Sequence, residues 1–160
     1  MTTSSALAVG QRAPEFKLKG PGGQPISLAD YRGRRHVVLA FFPLAFTPVC
    51  SHQLPELEQA RPRLESLGAS LLGVSVDSWQ TNEVFARQLG IGFPLLSDFK
   101  REISRAYGVL DEDRFYSGRA VFVVDRGGQL VYSDVSANAG DMAQIPSVAS
   151  LIGSLEALSR

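Results

Sequence analysis

Apolar residues fall along the chain in short blocks separated by polar, periodic stretches. Val37-Val38-Leu39-Ala40-Phe41-Phe42 is continuously apolar and rich in β-branched and aromatic residues, the pattern of a strand covered on both faces. Leu71-Leu72-Gly73-Val74-Ser75-Val76 and Ala120-Val121-Phe122-Val123-Val124 read the same way, and Pro94-Leu95-Leu96 as a shorter strand. Between them the spacing predicts helices over Thr47 to Leu67, Ser78 to Leu89 and Arg101 to Tyr107, and a last amphipathic helix over Ser147 to Leu158. Pro55 and Pro62 fall inside the first helix, where each removes a backbone donor, so a kink or break is expected there. Phe16-Lys17-Leu18 and Ile26-Ser27-Leu28 alternate around Gly20-Pro21-Gly22-Gly23, which predicts an N-terminal β-hairpin. A second hairpin is expected where Asp125-Arg126-Gly127-Gly128 turns into Gln129 to Val135. Strands alternating with helices and closed by a hairpin and helix imply a three-layer α/β domain with a central mixed β-sheet flanked by helices. Residues 1–9 read as a loose tail and residues 10–160 as one domain.

Composition adds mainly exclusions. Sixteen Lys plus Arg balance sixteen Asp plus Glu, so no net field favours nucleic acid or an anionic membrane. The opening Met1-Thr2-Thr3-Ser4-Ser5 lacks a basic region and apolar core like those of a secretory signal. The longest apolar stretch, Val37 to Phe46, contains Pro43 and is too short to span a bilayer. A cytoplasmic protein is expected. The chain carries one cysteine and two histidines, His36 and His52, which excludes an internal disulfide, a CxxC pair and a multi-cysteine zinc site; no metal and no cofactor is expected.

The segment Phe42-Pro43-Leu44-Ala45-Phe46-Thr47-Pro48-Val49-Cys50 lies where a buried strand gives way to a helix, a common place for an α/β site. Thr47 suits an N-cap and Pro48 the first helical position. Cys50 then takes the third, where a capping box would place a carboxylate, among free backbone N–H groups at the positive helix end. A thiolate is favoured there. Ionisation alone does not make a fast nucleophile. An ordinary protein thiol is already roughly 3–7% thiolate near neutral pH, so full ionisation raises the reactive fraction only ~15–30-fold, and lower basicity weakens the nucleophile. Charge moving onto a leaving oxygen needs separate stabilisation, for which a hydroxyl and a guanidinium are suited. Thr47 is one helical turn from Cys50; an arginine must come from elsewhere in the chain.

Pro43-x-x-x-Thr47-x-x-Cys50 resembles the PxxxTxxC active-site motif of the peroxiredoxins at every specified position. Leu28-Ala29-Asp30-Tyr31-Arg32-Gly33, Ser75-Val76-Asp77-Ser78, Phe93-Pro94-Leu95-Leu96-Ser97-Asp98 and Arg119-Ala120-Val121-Phe122-Val123-Val124-Asp125 resemble further segments of that family in the same order. The variant Phe41-Phe42-Pro43-Leu44-Ala45-Phe46-Thr47 looks most like the one-cysteine, alkyl hydroperoxide reductase E-type branch. The resemblance implies a thioredoxin fold and a thiol-dependent peroxidase acting on hydrogen peroxide and organic hydroperoxides in antioxidant defence. It makes Cys50 the nucleophile, Thr47 a peroxide ligand, Arg119 the residue that steadies thiolate and substrate, and Pro43 a shield. Val49, through its backbone N–H, and Gln53 are the candidate substrate-binding positions. Position 55, where one branch carries a resolving cysteine, is Pro55, and Gln53 stands where Glu is common. The sulfenic acid formed on Cys50 must therefore be resolved by an external thiol: a thioredoxin, a glutaredoxin-like protein or a low-molecular-weight thiol. Aromatic residues near such positions line subunit contacts in the family, which implies a homodimer.

Plainer readings stand beside these. A lone cysteine is usually a small buried hydrophobe, and Thr47 can simply cap the helix. Apart from the resemblance, Arg119 reads as a solvated arginine at a strand start and Gln53 as a surface helix residue. His36 reads as a surface or edge residue. His52 invites a Cys–His hydrolase, but side chains two apart on a helix point to nearly opposite sides. A redox sensor signalling through Cys50 is the alternative from another functional class.

Overall fold

The structure is a computed structural model that describes residues 7–138 and 140–158. An antiparallel hairpin of β1 (Lys17–Lys19) and β2 (Pro25–Ser27) leads into β3 (His36–Phe41) and the long helix α1 (Pro48–Ser66). Next come β4 (Ala69–Ser75), α2 (Trp79–Leu89), β5 (Leu95–Ser97) and the short α3 (Glu102–Ala106). A two-stranded ribbon of β6 (Leu110–Asp111) and β7 (Tyr116–Ser117) precedes β8 (Ala120–Val124), β9 (Leu130–Val135) and α4 (Val148–Leu158). Seven strands form one mixed sheet in the order β2-β1-β5-β4-β3-β8-β9, with β4 parallel to β3 and β5 and the other pairs antiparallel.

The central strand explains the layers. Successive side chains of β3 alternate between faces, and both faces are dry. Val38 and Ala40, with Phe42 just beyond, join Leu54 and Leu57 of α1, Phe85 of α2 and Leu151 of α4 in one cluster. Val37, Leu39 and Phe41 join Phe16, Leu28, Tyr107 and Phe122 in a second cluster on the opposite face. Phe41, Tyr107 and Phe122 pack there as an aromatic triple with centroids 5.4–5.7 Å apart. This is the predicted three-layer arrangement, a thioredoxin fold.

Several local expectations are corrected. α1 runs unbroken through Pro55 and Pro62. Each proline deprives one carbonyl, of Ser51 or Glu58, of its helical donor, but buried Leu54, Leu57 and Leu64 anchor the helix, and burial of ~1.5–3 kcal/mol apiece offsets the loss. His36 is no edge residue. It begins the central strand, is 5% exposed, and its Nε2 accepts a hydrogen bond from Arg126 Nη1 at 3.1 Å. Of the expected tail, residues 1–6 lie outside the described residues; Leu7 already packs against the second cluster, and the Gly10 N–H donates to the Leu130 carbonyl. The β6–β7 ribbon was not predicted, because two residues per strand carry no legible alternation.

Candidate active site

Thr47 is the N-cap residue of α1, with extended backbone (φ −93°, ψ 153°), and its carbonyl accepts the Ser51 N–H at 2.9 Å. Pro48 opens the helix and Cys50 is its third residue, as the sequence predicts. The Thr47 hydroxyl, however, does not cap. It donates to the Leu44 carbonyl at 2.8 Å, so helix entry is set by backbone and proline while the hydroxyl ties the loop together. Phe46 reverses the chain with left-handed backbone (φ 66°), a conformation disfavoured for a bulky residue. Its ring packs on Phe85 with centroids 4.9 Å apart, which holds the turn in place.

Cys50 is fully buried. Arg119, at the entry to β8, reaches it across 69 positions of sequence: Nη2 donates to Cys50 Sγ at 3.2 Å and Nη1 to Gln53 Oε1 at 2.6 Å. β8 pairs antiparallel with β3, which brings the start of β8 to the end of β3, and α1 begins just past that end. Cys50 and Gln53, one turn apart, share a helix face and so share the guanidinium. Arg119 is 1% exposed and Gln53 2% exposed. A guanidinium this deep loses several kcal/mol of hydration unless polar groups replace the water, and the fork toward sulfur and amide oxygen provides such groups. Pro43 is buried at the start of the loop, and Val49 is buried beside Cys50 in the first helical turn. N–H groups of a first turn have no intrahelical carbonyl, so those of Val49 and Cys50 are available to an oxygen atom.

The loop itself is moored from β4. Asp77 Oδ2 accepts the Ala45 N–H at 2.8 Å and the Ser75 hydroxyl at 2.8 Å. Ser75 Oγ in turn accepts from Asn82 Nδ2 at 3.0 Å, and Ser97 Oγ donates to the Asp77 carbonyl at 2.7 Å. Three elements, β4, α2 and β5, thereby converge on the backbone five residues ahead of the cysteine.

Known proteins resemble this chain over most of its length. Residues 9–133 match the AhpC/TSA family. The chain is 40% identical over 131 residues to alkyl hydroperoxide reductase E of Mycobacterium tuberculosis, covering 81% of this chain and 86% of that one. It belongs to the AhpC/TSA family. Among solved structures, Mycobacterium tuberculosis AhpC superposes with a TM-score of 0.84 at 28% identity, covering 97% of this chain and 94% of that one. A reduced Plasmodium vivax 2-Cys peroxiredoxin does so with a TM-score of 0.84 at 30% identity, covering 94% and 81%. The chain is a one-cysteine peroxiredoxin, and as such a thiol-dependent peroxidase.

Within this peroxiredoxin, Cys50, Arg119 and Gln53 are joined by hydrogen bonds, and Thr47, Pro43 and Val49 lie in the segment that delivers the cysteine. Both plainer readings of Arg119 and Gln53 fail, since neither is solvated. His52 is exposed and pairs with Glu56 at 4.0 Å, away from the buried sulfur. Sequence reasoning missed Asp77 as the mooring of the loop. Its signal was the Ser75-x-Asp77-Ser78 turn at the end of β4, where a carboxylate next to a helix cap has backbone N–H groups within reach. Among the described residues no three His, Cys, Asp or Glu side chains cluster as metal ligands, and no helix is long and apolar enough to cross a membrane.

Proposed function

We propose that Cys50 is the peroxidatic nucleophile and that Thr47, Arg119, Pro43 and the Val49 and Cys50 backbone N–H groups form its peroxide site. The observation that carries this reading is the buried Arg119 guanidinium donating to Cys50 Sγ at 3.2 Å. The thiolate attacks one peroxide oxygen; an S–O bond forms as the O–O bond breaks, sulfur is oxidised by two electrons, and the leaving oxygen takes a proton to become water or an alcohol. Arg119 and the first-turn N–H groups meet the charge that moves from sulfur to oxygen. The sulfur has no exposed surface, so peroxide enters when the loop around Leu44 to Pro48 shifts, and that movement frees the Thr47 hydroxyl from the Leu44 carbonyl to donate to the substrate.

With one thiol in the chain, the sulfenic acid is resolved by an external thiol, whether a thioredoxin, a glutaredoxin-like protein or a low-molecular-weight thiol. An unpaired cysteine suits the reducing cytoplasm. The exposed aromatic rings of Phe46, Phe99 and Phe115 support a homodimer that covers them. Peroxide consumption with a thiol donor tests the assignment: Cys50→Ser abolishes turnover and the wild-type protein gains one oxygen on Cys50 by mass spectrometry. Turnover retained by Cys50→Ser overturns it.

A further inference from the structure

Gln53 carries a feature that its bond to Arg119 leaves unexplained. A guanidinium only donates, so the atom facing Nη1 at 2.6 Å is the amide oxygen, and the amide nitrogen is thereby fixed on the other side of the group. That Nε2 is buried, and no acceptor among the described residues lies within hydrogen-bonding distance. An unsatisfied N–H pair in a dry interior is destabilising by roughly 1–3 kcal/mol. The amide stands one guanidinium away from Cys50 Sγ, on the same face of α1. The one acceptor that the proposed reaction creates on this face of the helix is the oxygen added to the Cys50 sulfur.

We infer that the Gln53 amide N–H donates to the oxygen that Cys50 acquires, making Gln53 a product-binding residue that sets the fate of the sulfenic acid. The inference rests on the peroxidase reading above and deepens it. Donation to the sulfenic oxygen draws electron density from sulfur. An incoming thiol is then favoured: the new S–S bond forms, the S–O bond breaks, and the oxygen leaves as water with the proton of the thiol. The competing step is disfavoured, since attack by sulfur on a second peroxide, forming a second S–O bond and releasing alcohol or water, needs an electron-rich sulfur. A glutamate in this position would offer the same oxygen to Arg119 but, when ionised, no donor to the product.

Gln53→Glu and Gln53→Met both remove the N–H donor, the first keeping an acceptor for Arg119 and the second keeping the side chain's length. Each protein is oxidised once with hydrogen peroxide, and the rate of sulfinic acid formation with further hydrogen peroxide is divided by the rate of reduction with 2-mercaptoethanol. The expected result is a ratio about tenfold above wild type in both variants. A wild-type ratio in either cooperatively folded variant overturns the inference, including the case in which the first oxidation slows through a displaced Arg119. In the wild-type protein itself, the Gln53 side-chain amide resonances shift on conversion of Cys50 to the sulfenic acid; unchanged resonances overturn the inference without reference to any variant. A wild-type protein that consumes no peroxide would sink the proposed function, whereas normal consumption with an unaltered ratio sinks this inference alone.

Discussion

Arg119 Nη2 lies 3.2 Å from Cys50 Sγ, and both side chains are withdrawn from solvent. The contact joins a strand entry to a helix entry and gives the sulfur a cation that water does not screen. Replacing Arg119 by Met removes the charge and the donors to sulfur and to the Gln53 amide oxygen. The second-order rate of Cys50 oxidation, followed by stopped-flow fluorescence, is expected to fall by about 10²–10³-fold, the scale of losing a preorganised donor in a water-excluded site. Arg119→Lys recovers part of the rate, because a single ammonium cannot reproduce the fork toward sulfur and amide.

Thr47 separates a capping role from the proposed catalytic one. Its hydroxyl bonds to Leu44 and not to the first helical turn. Thr47→Val is therefore expected to cost less than the ~1 kcal/mol usual for a lost cap, read by chemical denaturation, while peroxide turnover falls at least about tenfold. Thr47→Ser restores turnover.

Asp77 acts through the loop. Asp77→Ala leaves the Ala45 N–H without its acceptor and the Ser75 hydroxyl without its shorter one. A loss of about 1–3 kcal/mol in unfolding free energy is expected, with slower oxidation of Cys50. Asp77→Asn, which keeps one oxygen, recovers most of both.

His36 makes stability depend on pH. Burial, followed by the nearby Arg126 guanidinium, holds its pKa below the ordinary 6.5. Because Arg126 donates to Nε2, the ring is neutral and carries its proton on Nδ1, which has no partner among the described residues. As pH falls below about 6.5 the unfolded chain takes up a proton that the folded chain refuses, so this contribution to stability is present above that pH and is lost on acidification. Denaturation curves between pH 7.5 and 5 check it: His36→Asn flattens the decline.

Much of the fold was legible because its signals are local. The apolar runs at Val37 to Phe42 and Ala120 to Val124 became central strands, and Ser78 and Gly90 bracket α2 as cap residues do. Element ends moved by a residue or two, since the last residue of a strand is decided by its neighbour's register and not by its own side chain. Breaks at Pro55 and Pro62 failed for the same reason: a proline's penalty is intrinsic, but the burial that overrides it belongs to the packed sheet.

By itself the sequence determined the single cysteine, its place at the third position of a helix, and the family, because motif spacing and helix-start chemistry are encoded over a few adjacent residues. Only the tertiary structure decided that Arg119 and Gln53 are buried and joined, that Asp77 moors the loop, that the Thr47 hydroxyl turns away from the helix, and that His36 is a neutral core residue. Each of those depends on groups far apart in the chain being brought within a few ångströms, where removal of water makes a single hydrogen bond or charge decisive.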